Sequence, residues 1–277
     1  MKNTNRNLIP DRVNPSPDYY CTWQTQLYAT SDGKPAKQRE SICEHSLFGS
    51  ERPFGWSRFY ETARRDLLLV MDDSWDVPPD GNSAYFGSLL LDREKFPQAT
   101  AGKVSNADAL KRLTDRIRAL GWKGLGGWVC AQEAPLFSKE ATPKVYWRAR
   151  LEDAARSGFA YWKVDWGKQA NNADFRKMLT DLGHEIAPGL TVEHAIIPDI
   201  LPYADTYRTY DVPAILSIPM TMRKLAELLP GRHHAEGYAG LVNCEDEAYL
   251  AAAGGFTMGI MRHPYAGALP DGRPDMS

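Results

Sequence analysis

Residues 143–196 read PKVYWRARLEDAARSGFAYWKVDWGKQANNADFRKMLTDLGHEIAPGLTVEHAI. In this stretch, two segments with helical spacing alternate with two short runs rich in β-branched and aromatic residues, at 159–167 and 190–196. Such alternation is typical of βα units arranged around a parallel sheet. The stretch therefore predicts an α/β fold.

The same alternation extends over most of the chain. Six further strand-like runs lie at 21–30, 66–75, 122–133, 204–212, 240–247 and 256–264. Eight strands in a chain of 277 residues suit a single (β/α)₈ barrel of the TIM type. We expect the barrel over 21–264, an N-terminal extension over 1–20 and a turn-rich tail over 265–277. Because no helical pattern follows the eighth run, we also expect the barrel to be truncated at its C-terminus.

Composition excludes several classes of partner. The net charge of −2 favours neither nucleic acid nor an anionic membrane surface. No apolar run approaches the ~20 residues that span a bilayer, and no apolar segment follows Lys2 as in a signal peptide. We therefore expect a cytoplasmic protein if residue 1 is the native start. The four cysteines lack CxxC spacing, which favours buried thiols over disulfides or a metal site. Nothing in the sequence fixes an oligomeric state.

Aromatic residues are the unusual part of the composition. Eight Trp and thirteen Tyr are present, many of them near the ends of predicted strands. A flat apolar ring with a polar edge suits the face of a pyranose sugar. The alternative is that these side chains fill the barrel core.

Candidate site residues follow from the barrel itself, because the βα loops open at the carboxyl ends of the strands. The predicted strand ends carry Trp23, Asp72, Asp73, Trp75, Trp128, Lys163, Asp165, Glu193, Arg208, Asp211 and Glu245. We therefore expect a site rich in carboxylates and indoles at this end of the barrel.

The run YWKVDWG (161–167) is the most informative. Lys163 and Asp165 are two residues apart, so in a strand they face the same side. An ammonium group beside Asp165 favours the ionised carboxylate, as a nucleophile requires. A purely structural ion pair is the alternative.

The run RTYD (208–211) supplies a second carboxyl, Asp211, with apolar residues after it. Desolvation raises the pKa of a carboxyl and suits it to donate a proton near neutral pH. Two carboxyls in contrasting environments, Asp165 and Asp211, are what glycosidic cleavage needs.

The run MDDSW (71–75) places two carboxylates at the end of the second predicted strand. We expect a bend that lets Asp72 and Asp73 bind adjacent sugar hydroxyls, with Trp75 stacking nearby. A metal site or a helix N-cap would use the same residues.

Taken together, these residues resemble a known family. A Trp on strand one, DD-x-W on strand two, K-x-D on strand four, a Glu on strand five and R-x-x-D on strand six resemble the retaining glycoside hydrolases of clan D. These are the α-galactosidases and α-N-acetylgalactosaminidases of families 27 and 36. The similarity extends from about Tyr20 to His263, and YWKVDW is its most specific part.

The resemblance implies a role for each residue in cleavage of a terminal α-glycoside by double displacement. It makes Asp165 the nucleophile and Asp211 the acid/base, without cofactor or metal. Their carboxyls should lie about 5–5.5 Å apart, as in retaining enzymes. The resemblance also implies which residues contact the sugar. The hydroxyls of the sugar would bind Asp72, Asp73, Lys163 and Arg208. Trp23 and Trp128 would line the pocket, and Glu193 would face the 2-substituent.

Two other functions fit the same pattern. Lys163, Asp165, Glu193 and Glu245 could instead form a Mg²⁺ site with a lysine base, as in enolase-like barrels. A barrel that binds sugar without catalysis is the non-enzymatic alternative.

Overall fold

The computed structural model describes residues 17–30, 35–51, 53–138, 142–209, 217–228 and 234–264. Its strands are β1 (Tyr19–Cys21), β2 (Leu68–Met71), β3 (Gly124–Val129), β4 (Tyr161–Val164), β5 (Thr191–His194), β6 (Thr206–Arg208), β7 (Leu241–Asn243) and β8 (Gly259–Ile260). Its α-helices are α1 (Trp23–Thr30), α2 (Pro35–Glu40), α3 (Glu44–Phe48), α4 (Asn106–Ala119), α5 (Pro143–Ser157), α6 (Ala173–Ile186), α7 (Ser217–Leu228) and α8 (Ala248–Gly254). Short 3₁₀ helices lie at Trp56–Arg58, Arg64–Asp66, Ser83–Tyr85 and Pro198–Tyr203.

The strands form one parallel sheet that curls into a nearly closed barrel. Their order is β7-β6-β5-β4-β3-β2-β1-β8, so β1 pairs with both β2 and β8. The last join is a short seam between β7 and the segment leading into β8. There the Thr257 amide donates to the Val242 carbonyl at 2.9 Å, and the Cys244 amide donates to the Thr257 carbonyl at 2.9 Å. The predicted (β/α)₈ fold is confirmed.

Side chains alternate between two layers, as the twofold period of a strand requires. Outward-facing residues pack against α4, α5 and α6 in the main core, which includes Leu69, Leu125, Trp162, Val192, Leu113, Leu151 and Leu179. Inward-facing residues form a smaller cluster of Tyr19, Cys21, Leu68, Val70, Tyr161 and Met261. Gly126 on β3 makes room for it, because a Cβ there would lie 2.6 Å from the Cβ of Tyr161.

The first strand differs from the prediction. The run 21–30 was expected to be a strand, but β1 ends at Cys21 and α1 begins at Trp23. The backbone amide of Gln26 donates to the Thr22 carbonyl at 2.8 Å, and the Thr22 hydroxyl accepts from the backbone amide of Asp72 at 2.8 Å. These bonds start a helix at Thr22 and override the strand propensity of Thr and Trp. Tyr19 and Tyr20, from the predicted extension, belong to the barrel.

Three predicted features lie wholly or largely outside the described residues. They are Asp211, the tail at 265–277 and the N-terminal extension, of which residues 1–16 are not described. Among the described residues, no helix is long and apolar enough to cross a membrane.

Candidate active site

Buried charges fill the carboxyl end of the barrel, which we call the mouth. Six side chains from five strands or the residues just after them interact there, and we call them the ionic cluster. Its members are Asp72, Lys163, Asp165, Glu193, Arg208 and Glu245. Parallel strands bring these groups together because each strand points an inward side chain at the same level.

Lys163 is the first centre of the ionic cluster. Its Nζ lies 2.9 Å from Asp72 Oδ2 and 3.2 Å from Glu245 Oε1, and it also contacts the Cys21 sulfur at 3.4 Å. The Cys21 thiol donates to Asp72 Oδ2 at 2.8 Å. Burial alone would lower the pKa of Lys163, but Asp72, Cys21 and Glu245 together raise it well above its usual value. Lys163 is therefore a permanent cation.

Arg208 is the second centre. Its guanidinium nitrogens lie 3.2 Å from Asp165 Oδ1, 3.2 Å from Glu193 Oε1 and 3.1 Å from Glu245 Oε2. Glu245 thus bridges the two cations. Four carboxylates surround two cations, so the cluster has excess negative charge when its carboxyls are ionised.

Glu193 is the most deeply buried member of the ionic cluster. Its side chain is fully buried, and it accepts hydrogen bonds from Tyr161 Oη at 2.8 Å and Asn243 Nδ2 at 2.7 Å. Tyr19 Oη also contacts it at 3.3 Å. Burial raises the pKa of Glu193, while Arg208 and Lys163 oppose that change. The contact of Glu193 with a sugar 2-substituent stays a prediction, and in this structure the Glu193 side chain has no exposed surface.

Asp165 is the most exposed carboxylate of the cluster. Its exposed fraction is 7%, against 5% for Glu245, 3% for Asp72 and 0% for Glu193. Besides Arg208 at Oδ1, the indole Nε1 of Trp128 donates to Oδ2 at 3.1 Å. One ion pair and one hydrogen bond thus stabilise negative charge on the most exposed carboxylate of the cluster.

The backbone that carries Asp165 is held from behind by a buried arginine on α6. Arg176 donates to the Asp165 carbonyl at 2.6 Å and to the Val164 carbonyl at 3.1 Å. The Nη1 atom that donates to Val164 also lies 3.3 Å from His194 Nδ1, and His194 Nε2 lies 2.9 Å from the Thr180 hydroxyl. Burial, assisted by Arg176, lowers the pKa of His194 well below its usual value, so the imidazole is neutral and can accept from Arg176. The position of Asp165 is therefore fixed.

Asp72 and Asp73 point to different partners. Asp72 belongs to the ionic cluster, whereas Asp73 Oδ2 pairs with Arg39 Nε at 2.9 Å and Asp73 Oδ1 accepts from the Ser74 hydroxyl at 2.7 Å. The expected bend is present, because Ser74 has a positive φ of 77°. Burial raises the pKa of Asp73 to about 6, although Arg39 and Ser74 lower it.

Stability should fall as Asp73 loses its proton. The folded-state pKa of about 6 exceeds the ~3.9 of a free aspartate. The folded state therefore holds more protons between these values, and rising pH favours unfolding. The expected loss is on the order of 2–3 kcal/mol between about pH 4 and pH 7. Urea unfolding of the wild type and Asp73→Asn over this range measures it, since the amide does not titrate. A constant difference in unfolding free energy between the two proteins would contradict the assignment.

The three predicted tryptophans lie in different surroundings. Trp128 joins an aromatic group beside Asp165, with ring centroids 5.2 Å from Trp166 and 6.4 Å from Phe86. Trp23 is partly buried against the inner cluster of the barrel. Trp75 is fully buried in the outer core, where its indole donates to the Trp128 carbonyl at 2.9 Å. The structure thus does not bring Trp75 to the mouth, because the bend at Ser74 turns it toward the helices.

Several site residues were not among the predicted substrate and catalytic groups. Glu245 stood at a predicted strand end but was assigned only to the metal alternative, and Trp166 directly follows Asp165 in the quoted motif. Arg39 comes from the β1–β2 connection, where no sequence signal marks it. Tyr19 and Tyr161 could be found only from their spacing, because each lies two residues before an inward-facing strand residue, Cys21 or Lys163.

The fold and its site define a (β/α)₈ barrel with a buried carboxylate cluster at the mouth. No protein-family model and no curated protein matches the chain. Among solved structures, the chain is similar to the alpha-L-fucosidase AlfC from Lactobacillus casei in complex with alpha-L-fucose product. That similarity covers 93% of this chain and 90% of that chain, at 10% sequence identity and a TM-score of 0.41. A functional assignment therefore depends on the residues of this chain.

Proposed function

We propose that this protein is a retaining glycoside hydrolase that cleaves terminal α-glycosides, with an α-galactosidase-like specificity. The observation that carries the proposal is the setting of Asp165. It is the most exposed carboxylate of the ionic cluster, it is held by Trp128 and Arg208, and its backbone is clamped by Arg176. A nucleophile needs this combination of charge, access and fixed position.

In the proposed mechanism, the Asp165 carboxylate attacks the anomeric carbon. Asp211 protonates the leaving oxygen as the glycosidic bond breaks, which yields a glycosyl ester on Asp165. Asp211 then removes a proton from water, and that water attacks the anomeric carbon to release the sugar and free Asp165. Both steps pass through a transition state with positive charge on the sugar ring. The excess negative charge of the ionic cluster is suited to stabilise it.

The proposed roles of the other cluster members are constrained by their pairing. Asp72 and Lys163 bind each other, and Arg208 is fully buried among three carboxylates. A sugar hydroxyl that binds these groups must share the bonds that they already make. Asp73 lies apart from the cluster and is paired with Arg39, whose side chain is partly exposed. Asp73 is as buried as Asp72 and its oxygens are also paired, so we expect a sugar to reach this pair through the exposed part of Arg39.

The magnesium-dependent alternative has less support. Lys163 would have to act as a base, but its three acidic neighbours raise its pKa well above its usual value despite the opposing effect of burial. Lys163 and Arg208 also occupy the space between Asp72, Asp165, Glu193 and Glu245. Within the described parts of the chain, no three acidic, His or Cys side chains are grouped as metal ligands.

Hydrolysis of p-nitrophenyl α- and β-glycosides, with and without EDTA, tests the proposal. We expect release from an α-glycoside, with α-galactoside the first candidate, insensitive to EDTA. Proton NMR of the first product should show the α-anomer. Strict metal dependence would favour the enolase-like alternative, and a β-anomer as first product would overturn the retaining mechanism.

Replacing Asp211 by alanine should separate its two roles by leaving group. Activated aryl glycosides barely need a proton on departure, so the first step should be nearly preserved for them. Alkyl or disaccharide glycosides should be slowed by about 10²–10⁴-fold, the range for general acid catalysis. The ratio of kcat/KM between the two substrate types measures this. Equal loss on both types would remove Asp211 from the acid/base role.

A further inference from the structure

We propose that Arg39 determines substrate specificity by acting with Asp73 as a donor–acceptor pair for two adjacent hydroxyl groups of the sugar. This inference rests on the proposed glycosidase function and adds a residue to the same site. The chemistry is that of a neutral polyol, because the ion pair of Arg39 and Asp73 has no net charge when both groups are ionised.

Arg39 lies on an aromatic wall that continues to the nucleophile. Its guanidinium carbon is 5.2 Å from the ring centroid of Phe86 and 5.6 Å from that of Trp166. Trp166 in turn packs against Trp128, whose indole nitrogen donates to Asp165. Arg39, from the first βα connection, thus reaches across to the loops that follow β2 and β4. We infer from this chain of contacts that Arg39 borders a sugar whose anomeric carbon meets Asp165.

Two buried side chains hold the Arg39 and Asp73 segments together. Gln26 Nε2 donates to the carbonyls of Gln38 and Asp73, at 3.2 Å each. Lys95 Nζ donates to the carbonyl of Arg39 at 3.0 Å and to that of Ser74 at 2.7 Å. Buried polar groups are costly unless hydrogen-bonded, and the donor groups of these two side chains find their acceptors by joining both segments. The relative position of Arg39 and Asp73 is therefore preorganised, as binding sites require.

Arg39 also retains donors for a ligand. Its side chain is 32% exposed, and Nε makes the bond to Asp73. Its two terminal nitrogens make no hydrogen bond or ion pair with any residue in the described ranges. Phe86 and Trp166 lie within cation–π distance of the guanidinium, a contact that uses none of its N–H donors. One sugar hydroxyl can donate to Asp73 while its neighbour accepts from Arg39.

A double-mutant cycle against substrate hydroxyls tests the inference. On the p-nitrophenyl glycoside that the wild type cleaves best, Arg39→Ala should lower kcat/KM by about 10- to 100-fold, the range for one charge-assisted hydrogen bond. The loss should appear mainly in KM. One monodeoxy analogue of that glycoside should lose the same factor in the wild type and almost nothing further in Arg39→Ala. Arg39→Lys should restore part of the loss.

The control is Arg148→Ala, which removes an arginine from an exposed pair with Glu185. Its kcat/KM should match the wild type, and thermal unfolding should show that Arg39→Ala remains folded. An unchanged kcat/KM in Arg39→Ala would overturn the inference. An equal further loss on every deoxy analogue would do the same, because it would indicate a structural role.

Failure of the proposed function can be told apart from failure of this inference. If no glycoside is cleaved, calorimetric titration with d-galactose, N-acetyl-d-galactosamine, d-glucose and d-mannose tests binding directly. A sugar that binds the wild type and binds Arg39→Ala at least about 10-fold more weakly supports the inference without hydrolysis. A sugar that binds both proteins equally overturns the inference, and no binding by any of the four overturns both proposals.

Discussion

Asp165→Ala should abolish turnover while leaving sugar binding largely intact. The nucleophile forms a covalent bond only after the substrate is bound, so its contribution is made mainly in the transition state. We expect kcat on the best p-nitrophenyl glycoside to fall by roughly 10⁴-fold or more, in line with loss of a nucleophile elsewhere. Steady-state kinetics and calorimetric titration with the product sugar measure the two effects separately.

Asp115→Ala is the matched control for this substitution. Asp115 is an exposed aspartate on α4 that pairs with Lys111, far along the chain from the site, and its loss should not alter kcat. Retention of a tenth or more of the wild-type kcat in Asp165→Ala would remove Asp165 from the nucleophile role. A parallel loss of sugar affinity and kcat would instead indicate a binding residue.

Arg208→Met should destabilise the fold more than any surface substitution. Removal of the guanidinium leaves Asp165, Glu193 and Glu245 buried without their shared cation, and breaking a buried ion pair in this way costs about 3–5 kcal/mol. Urea unfolding at neutral pH measures the change in free energy. The loss should be smaller at acidic pH, because protonated carboxyls no longer need the cation.

Arg148→Met provides the comparison, since the Arg148 pair with Glu185 has both side chains substantially exposed. Exposed pairs contribute only about 0–1 kcal/mol. Arg208→Lys keeps the charge but cannot reach three carboxylates at once, so its stability should lie between those of Arg208→Met and the wild type. A cost below about 1 kcal/mol for Arg208→Met would show that the cluster does not depend on this cation.

The barrel could be predicted because its determinants are local. Eight strand-like runs, several of them alternating with segments of helical period, predict the eight parallel strands. The twofold spacing of Lys163 and Asp165 likewise predicts that they share the inner face, and both do contact the ionic cluster. Period and spacing can be read from a sequence without knowing what lies opposite.

Helix starts and side-chain orientations that depend on contacts with residues distant in the sequence could not be predicted in the same way. Thr22 and Trp23 favour a strand locally, but a hydrogen bond from the Asp72 amide to Thr22 accompanies the start of a helix there. Asp72 and Asp73 look equivalent in sequence, but the chain bends at Ser74, which has a positive φ. In the structure, Asp72 pairs with Lys163 and Asp73 pairs with Arg39. Trp75 is turned into the core by the same bend.

Arg39 is the clearest example of a site residue that could not be predicted from the sequence. The sequence around Arg39 shows no strand pattern, so Arg39 could not be placed at the end of a strand. It reaches Asp73 because Gln26 and Lys95 hold two distant segments together. Interactions between loops have no local pattern. The position of Asp211 relative to Asp165 stays a prediction from the resemblance.

We expect the ionic cluster to form late when the chain folds, because it joins residues from distant parts of the sequence. Tyr19 Oη contacts Glu245 at 3.1 Å across 226 residues of sequence, and Lys163 contacts Met261 Sδ across 98. Such contacts carry the highest loop-closure entropy, so they form after the local βα units. Catalytic competence would consequently be the last property to return on refolding, after most of the helical content has recovered.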